Sequence, residues 1–307
     1  MKRLNALYLL SLLLFIVALS SCMKDTTGYV FPDNSNQIVT FASISPDSGV
    51  VVYLTRSLSP NGVTLISETD IKISGAEVIL FKNSIAIDTL IEEEIGIYKN
   101  ANDLDINAGD KCTLQIISDE HTVYSNEIII PDTVKYSSAE FSSSLNFDSL
   151  YYIYVIDFNV LIEDVDLEKN NFSISSYGQY GSGILQKNYG IFFNYDYAYM
   201  EACFETRFTP SNEAEIVFTD KCFNGESFEL KIGIGVSEQN STVIYSKVYV
   251  YLRSYSTEYY AYLNQFYYSI FSDGYSQYTS PLVTYSNMSN GFGIFYGFNS
   301  VVFTKTL

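Results

Sequence analysis

The chain has one histidine, no tryptophan and four cysteines in 307 residues, and only 17 lysines and arginines against 35 aspartates and glutamates. Each scarcity bears on function. With His121 as the sole histidine, any Ser-His-Asp or Cys-His scheme must run through it. It stands in SDEHTVYS beside Asp119 and Glu120, with no nucleophile signature nearby, and reads as a surface residue of a hairpin turn. GxSxG, HExxH and P-loop patterns are absent. A formal net charge of −18 makes the chain a poor partner for nucleic acid, whose phosphates demand clustered lysine and arginine. Nor would so acidic a chain adhere electrostatically to an anionic membrane. No apolar run reaches the roughly 20 residues that a bilayer-spanning helix needs.

A shorter apolar run is present. Lys2 and Arg3 precede the stretch from Ala6 to Leu19, interrupted only by Ser11. A basic start, a short apolar core and small residues before a boundary make a secretory signal. The boundary Leu19-Ser20-Ser21-Cys22 resembles the bacterial lipoprotein box, in which cleavage precedes an acylated cysteine. That resemblance implies a signal peptide over 1–21 and a palmitate-type anchor on Cys22. Each buried methylene of such an anchor adds about 0.8 kcal/mol, and several chains hold durably. Loss of Lys2 and Arg3 with the signal takes the net charge to about −20. Residues 22–36, polar and without periodicity, read as a linker from the lipid.

The other cysteines fit an exported protein. Cys112 alternates with Leu114 and Ile116 in KCTLQIIS, so on a strand it shares their face as a buried free thiol. Cys203 and Cys222 lie nineteen positions apart and are a candidate disulfide, worth about 3 kcal/mol at that loop length. A metal pair is the alternative, but neither a CxxC spacing nor a nearby histidine accompanies it.

With 47% hydrophobic residues and a mean hydropathy of +0.08, the chain has material for a core, and its length suggests two domains. From 37 to 134, QIVTFASIS, SGVVVYLTRSL, GAEVILFKNS and HTVYSNEIIIP read as strands, with SPDSG and SPNG as turns. They predict an Ig-like or transthyretin-like β-sandwich. Pro131 and the polar tract SSAEFSSS mark a boundary, and 135–307 reads as a larger antiparallel β domain. There Ile156, Phe158, Val160 and Ile162 share one face, as do Phe228, Leu230, Ile232, Ile234 and Val236. STEYYAYLNQFYYSIF breaks the pattern: Tyr259, Leu263, Phe266 and Ile270 recur at helical spacing, predicting one amphipathic helix over about 257–271. Ser256 can cap it, and Glu258 suits the positive end of its dipole. The fold class expected is mainly β with one helix.

Two sets of side chains invite a functional reading. Glu163, Asp164, Asp166 and Glu168 offer oxygen ligands but lack the EF-hand order and its glycine, and read as a solvated strand end. Tyr245, Tyr249, Tyr251 and Tyr255 form a row that suits cross-strand pairing, a protein interface or a small-ligand platform. GFGIFYG lacks the GxGxxG spacing of a nucleotide loop. No residue calls for a cofactor.

The C-terminal segment carries a resemblance. STEYYAYLNQF followed by SNMSNGFGIFYGFNS resembles the ending of a Bacteroidota lipoprotein family known as domain of unknown function 4249, with Asn287, Gly291, Gly293 and Phe295 at its motif positions. Gly75, Ala76 and Val78 match an early strand motif of that family, and Gly96, Tyr98, Gly109 and Leu114 a later one, although Cys112 stands where an aromatic is common. The family brings no catalytic residues. It implies a lipid-anchored outer-membrane protein at the cell surface, acting as a non-enzymatic accessory to a TonB-dependent nutrient transporter. A structural or adhesive surface protein is the alternative. A glycoside hydrolase using carboxylates alone is the third class.

Overall fold

The computed structural model describes residues 36–58, 67, 71–119, 121–144, 155–164, 169–180, 183, 185–187, 191–193, 207–208, 215–236, 245–271 and 285–307. The chain falls into two units, Met1–Ser35 with Leu58–Leu65 and Asn36–Ser57 with Ile66–Leu307. Of the first unit only Leu58 is among the described residues; the second holds every element below.

Period-two alternation builds the opening strands. β1 (Ile38–Ser45) buries Ile38, Thr40, Ala42 and Ile44 and turns Phe41 outward, and β2 (Gly49–Arg56) buries Val50, Val52 and Leu54. β3 (Glu77–Lys82) and β4 (Ile85–Thr89) are joined by Asn83 and Ser84, at φ 50° and 67°, the positive values that a tight two-residue hairpin needs. β5 (Ile91–Glu94), β6 (Ile97–Lys99), β7 (Lys111–Ser118), β8 (His121–Ser125) and β9 (Ile128–Ile129) follow. Next come β10 (Tyr136–Ser144), β11 (Val155–Glu163), β12 (Asn171–Gln179), β13 (Leu185–Lys187) and β14 (Ile191–Phe193). After β15 (Arg207–Phe208), β16 (Glu215–Thr219), β17 (Ser227–Gly235) and β18 (Lys247–Tyr255) stands α1 (Thr257–Phe271), with the bounds that the helical spacing predicts. β19 (Met288–Ser289) and the 15-residue β20 (Phe292–Thr306) come last.

β20 ties the body together. Its residues 292–297 pair parallel with β1, and its residues 298–306 pair antiparallel with β18. A single sheet therefore runs β15-β16-β12-β18-β20-β1-β2-β6-β5, with β13 attached to β12. Two smaller sheets accompany it: β19-β8-β7-β3-β4 with β9 on β7, and β10-β11-β17-β14. The β1 half of the long sheet shares a core with the first of these, where Ala42, Ile44 and Val52 meet Val78, Leu80 and Leu114. The β18 half shares a second core with the other, where Ile174, Val248 and Leu252 meet Phe158, Val160 and Leu230. Met288 and Phe295 from the C-terminal segment belong to the first core. The protein is mainly β and sandwich-like, with one long helix among the described residues.

The polar tract SSAEFSSS is itself part of a strand. It forms β10, the edge of its sheet, because Ala139 and Phe141 face the second core opposite Val160 and Phe158 while Ser138, Glu140 and Ser142 are exposed. Serine-rich sequence hides a strand when only alternate positions need be apolar. On the other face of the long sheet, α1 covers a third, aromatic cluster with Tyr255, Tyr259, Tyr260, Leu263, Ile294 and Tyr296. Phe266 and Ile270, expected on the same stripe, have side chains outside the described ones.

Candidate functional site

β18 sends Val248, Val250 and Leu252 into the second core and Lys247, Tyr249, Tyr251, Arg253 and Tyr255 to the opposite face. The expected row of four tyrosines splits on this geometry. Tyr245 precedes the strand and packs against the second core, with its ring 4.4 Å from that of Tyr180. It fills the space left by Gly178, where an added Cβ would lie 2.2 Å from the Tyr245 ring. Gly178 stands opposite Val248, so this is the core side of the sheet. Tyr255 is 7% exposed, in the aromatic cluster that α1 covers. Tyr249 and Tyr251 alone stay half-buried on the outer face. The Tyr249 hydroxyl donates to Gln179 Oε1 at 3.1 Å, and Tyr251 meets Tyr177 edge-on at 5.2 Å.

Beside them lies a buried ion pair. Strand register sets Ser173 opposite Arg253 on one side and Val217 on the other, and Ser175 opposite both Glu215 and Tyr251. Arg253 Nη1 lies 3.4 Å from Glu215 Oε1, with the two side chains 15% and 8% exposed. Ser173 Oγ and the Tyr255 hydroxyl donate to the same Glu215 oxygen at 2.6 and 2.7 Å, and Arg253 donates to Ser175 Oγ at 2.9 Å. The guanidinium also sits over the Tyr251 ring, 4.9 Å from its centre. Burial opposes the charge of Arg253, but the surrounding Tyr255 and Glu215 more than offset it and hold its pKa above the ordinary arginine value. Burial, with Glu215 next, pushes the Tyr255 and Tyr259 hydroxyls well above the usual tyrosine range, and Tyr296 shifts the same way. The rings stack close, Tyr259 on Tyr296 at 4.2 Å and Tyr255 on Tyr259 at 4.4 Å. This layer is a polar adhesive between sheet and helix, its groups spent on one another.

An open site lies where α1 begins. There the segment Pro131–Lys135, between the two cores, borders a cleft of about 430 Å³ whose walls include Thr133, Lys135, Lys169, Asn171 and Glu258. Ser256 sits at the helix start: its carbonyl accepts from Tyr259 N at 3.2 Å, while its Oγ accepts from Gly297 N at 3.2 Å and so fastens α1 to β20. Asp164, expected to be a solvated strand end, is 6% exposed. Its oxygens accept from Asn170 Nδ2 at 3.1 Å and Gly225 N at 3.0 Å, because the turn after β16 closes over it. Asp220 in that turn accepts from Asn170 N at 2.6 Å. Burial raises its pKa, and the charge of Asp164 adds to the rise. Asp166 and Glu168 lie outside the described residues. Among the described residues no three His, Cys, Asp or Glu side chains gather as a metal site.

The C-terminal motif explains itself in backbone terms. The Asn287 side chain acts as a strand partner for β20: its Nδ2 donates to Phe295 O at 2.7 Å and its Oδ1 accepts from Phe295 N at 2.9 Å. Gly293 has φ +113°, and a Cβ there would fall 1.8 Å from Thr40 O; a Cβ on Gly291 would fall 2.8 Å from Ile38 O. Phe295 is fully buried. The earlier motif behaves alike, with Tyr98 buried, its hydroxyl donating to Ile73 O at 3.0 Å and accepting from Ala76 N at 2.9 Å. The family profile described as Domain of unknown function (DUF4249) matches residues 25–304. The chain belongs to that family. No curated protein matches it. In this DUF4249 chain the motif residues seat strands; none presents a reactive group.

The remaining expected residues divide between seen and unseen. Cys112 is the buried free thiol expected, and burial pushes its pKa up to about 12, so it is inert at neutral pH. Cys222 is exposed, whereas Cys203 and Cys22 lie outside the described residues. His121 is exposed and faces Ser118 across the β7–β8 turn. Among the described residues no helix is long and apolar enough to cross a membrane. The Glu215–Arg253 pair escaped sequence reading. Its available signal was a carboxylate opening the otherwise apolar run of β16, every position of which is buried.

Proposed function

We propose that this DUF4249 chain is a cell-envelope lipoprotein, tethered through Cys22, that serves as a non-enzymatic binding or accessory subunit of an outer-membrane TonB-dependent transporter. The observation that carries the reading is the Ala6–Leu19 run ending at Leu19-Ser20-Ser21-Cys22, followed by a polar segment and then a β body. A tether through Cys22 and the polar segment after it confines the body beside a membrane partner and raises its effective concentration there. The outward groups of Lys247, Tyr249 and Tyr251, half-buried and already ordered, suit a protein contact made at low entropic cost. A Cys203–Cys222 bridge fits the same compartment.

The test is metabolic labelling with an alkyne-tagged palmitate, mass analysis of the mature N-terminus, and pull-down from detergent-solubilised envelopes. A labelled protein that begins at Cys22, loses label in Cys22→Ala and captures a TonB-dependent transporter is the expected result. Capture of a matrix or fimbrial component without a transporter would replace this reading with the adhesive one. A second reading, favoured by the carboxylates of the cleft, is a glycoside hydrolase working through paired acids. Release of reducing sugar by wild type but not by Glu163→Gln would establish it.

A further inference from the structure

The cleft at the start of α1 has a lining that asks for a particular chemistry. Asn171 is 3% exposed, and its Oδ1 has no hydrogen-bond partner among the described residues. Glu258 Oε2, on the first turn of the helix, is likewise buried without a donor. Both residues line the same cleft. A buried acceptor without a donor is costly, and a carboxylate more so than an amide, so a donor-bearing group entering here gains what the empty wall lacks. The charge around it has one sign in excess: among the described residues, five carboxylates line the cleft against two lysines. The rim already holds a cation on an aromatic surface, with Lys169 Nζ 4.7 Å from the centre of the Tyr260 ring.

We infer that this cleft binds a primary ammonium or guanidinium group, held by Glu258 and the Asn171 amide oxygen against the acidic wall. Its volume of about 430 Å³ admits a short alkyl chain with such a head. The group comes either from a small free amine or from a lysine or arginine side chain of a polypeptide partner. The chemistry at the wall is the same for both. The assignment goes beyond the tethered-subunit reading and is independent of it, since it concerns the isolated protein whether or not a transporter is ever captured.

Calorimetry on the full-length protein in detergent micelles separates the outcomes. The probes are n-butylammonium, n-butylguanidinium, glucose as a neutral polyol, and the blocked tripeptide acetyl-Gly-Lys-Gly-amide. Saturable binding of the cations without binding of glucose is expected. Tighter binding of the tripeptide than of n-butylammonium assigns the site to polypeptide side chains, and the reverse order to free amines. Glu258→Gln keeps the shape, removes the charge and should weaken binding at least about tenfold. Thr133→Trp, at an exposed loop position on the cleft wall, should abolish it by filling the space while leaving the melting temperature near that of wild type. If Glu258→Gln does not fold, Thr133→Trp decides alone. No cation binding up to about 10 mM, glucose binding as tight as the cations, or unaltered affinity in the folded variants would overturn the assignment.

Discussion

Removing one member of the Arg253–Glu215 pair should cost far more than removing both charges. In Arg253→Met the carboxylate of Glu215 stays 8% exposed, keeps the hydroxyls of Ser173 and Tyr255 at 2.6 and 2.7 Å, and loses the one cation paired with it among the described residues. In Glu215→Gln the guanidinium keeps Ser175 but loses its counter-ion. Breaking a buried pair from one side costs about 3–5 kcal/mol, and the residual exposure of Arg253, 15%, places each single variant near the lower end. The double variant Arg253→Met/Glu215→Gln carries no buried charge, and the new amide oxygen still accepts from both hydroxyls. It should fall within about 1 kcal/mol of wild type, leaving a coupling of at least about 5 kcal/mol between the two sites. Urea unfolding of the detergent-solubilised protein, read by far-ultraviolet circular dichroism, gives the three differences from the midpoints at constant slope. Single variants within about 1 kcal/mol of wild type, or a double variant as costly as the two together, would show that the pair is solvated and would refute the account of the layer under α1.

Three further expectations are independent of it. Gly293→Ala meets Thr40 O and a φ of +113°, so it should lose more than about 4 kcal/mol or fail to fold, whereas Gly109→Ala, with φ +83° and open space around the new Cβ, should lose about 1 kcal/mol; melting temperatures compare them. Asp220→Asn should melt higher than wild type at pH 7. Burial, with Asp164 behind it, raises the folded pKa of Asp220, so the stability it lends is full below the ordinary aspartate range and lost as pH rises through that raised value; the advantage of the variant must therefore shrink toward pH 4. Native protein should show Cys203 and Cys222 unalkylated until reduced, with reduction costing about 3 kcal/mol; two labels on unreduced folded protein would remove the bridge.

Much of the fold was legible because burial follows period. Ile156 to Ile162 and Phe228 to Val236 turn inward as their alternation says, and the spacing of Tyr259 and Leu263 places α1 at its observed bounds. Periodicity names the face of an element but not what covers it. The tyrosines at 249, 251 and 255 do share a face of β18, yet α1, β20 and Gly178 decide which rings are sealed and where Tyr245 goes. Asp164 shows the same limit: a carboxylate at a strand end looks solvated in sequence, whereas a turn some sixty residues later closes on it. The β1–β20 pairing, with Phe41 against Ile294, joins residues about 250 positions apart, and no local pattern announces it.

That pairing also separates residues that build the fold from residues left over for function. Asn287, Gly291 and Gly293 exist in their places because β20 must approach Ile38 and Thr40 too closely for any side chain, and because its backbone at Phe295 needs a partner that no neighbouring strand supplies. Glu215, Arg253 and Tyr255 are consumed by the layer beneath α1. What these duties do not explain are polar groups buried without partners, because a fold selected only for stability gains nothing from stranding them. Asn171 and Glu258 are such groups, and they share one cleft. Replacing Asn171 by leucine should therefore raise stability or leave it unchanged while lowering affinity for the butylammonium probe, the opposite pairing from Arg253→Met. If Asn171→Leu instead destabilises as a core variant does, its amide is structural and the cleft loses one of its two anchors.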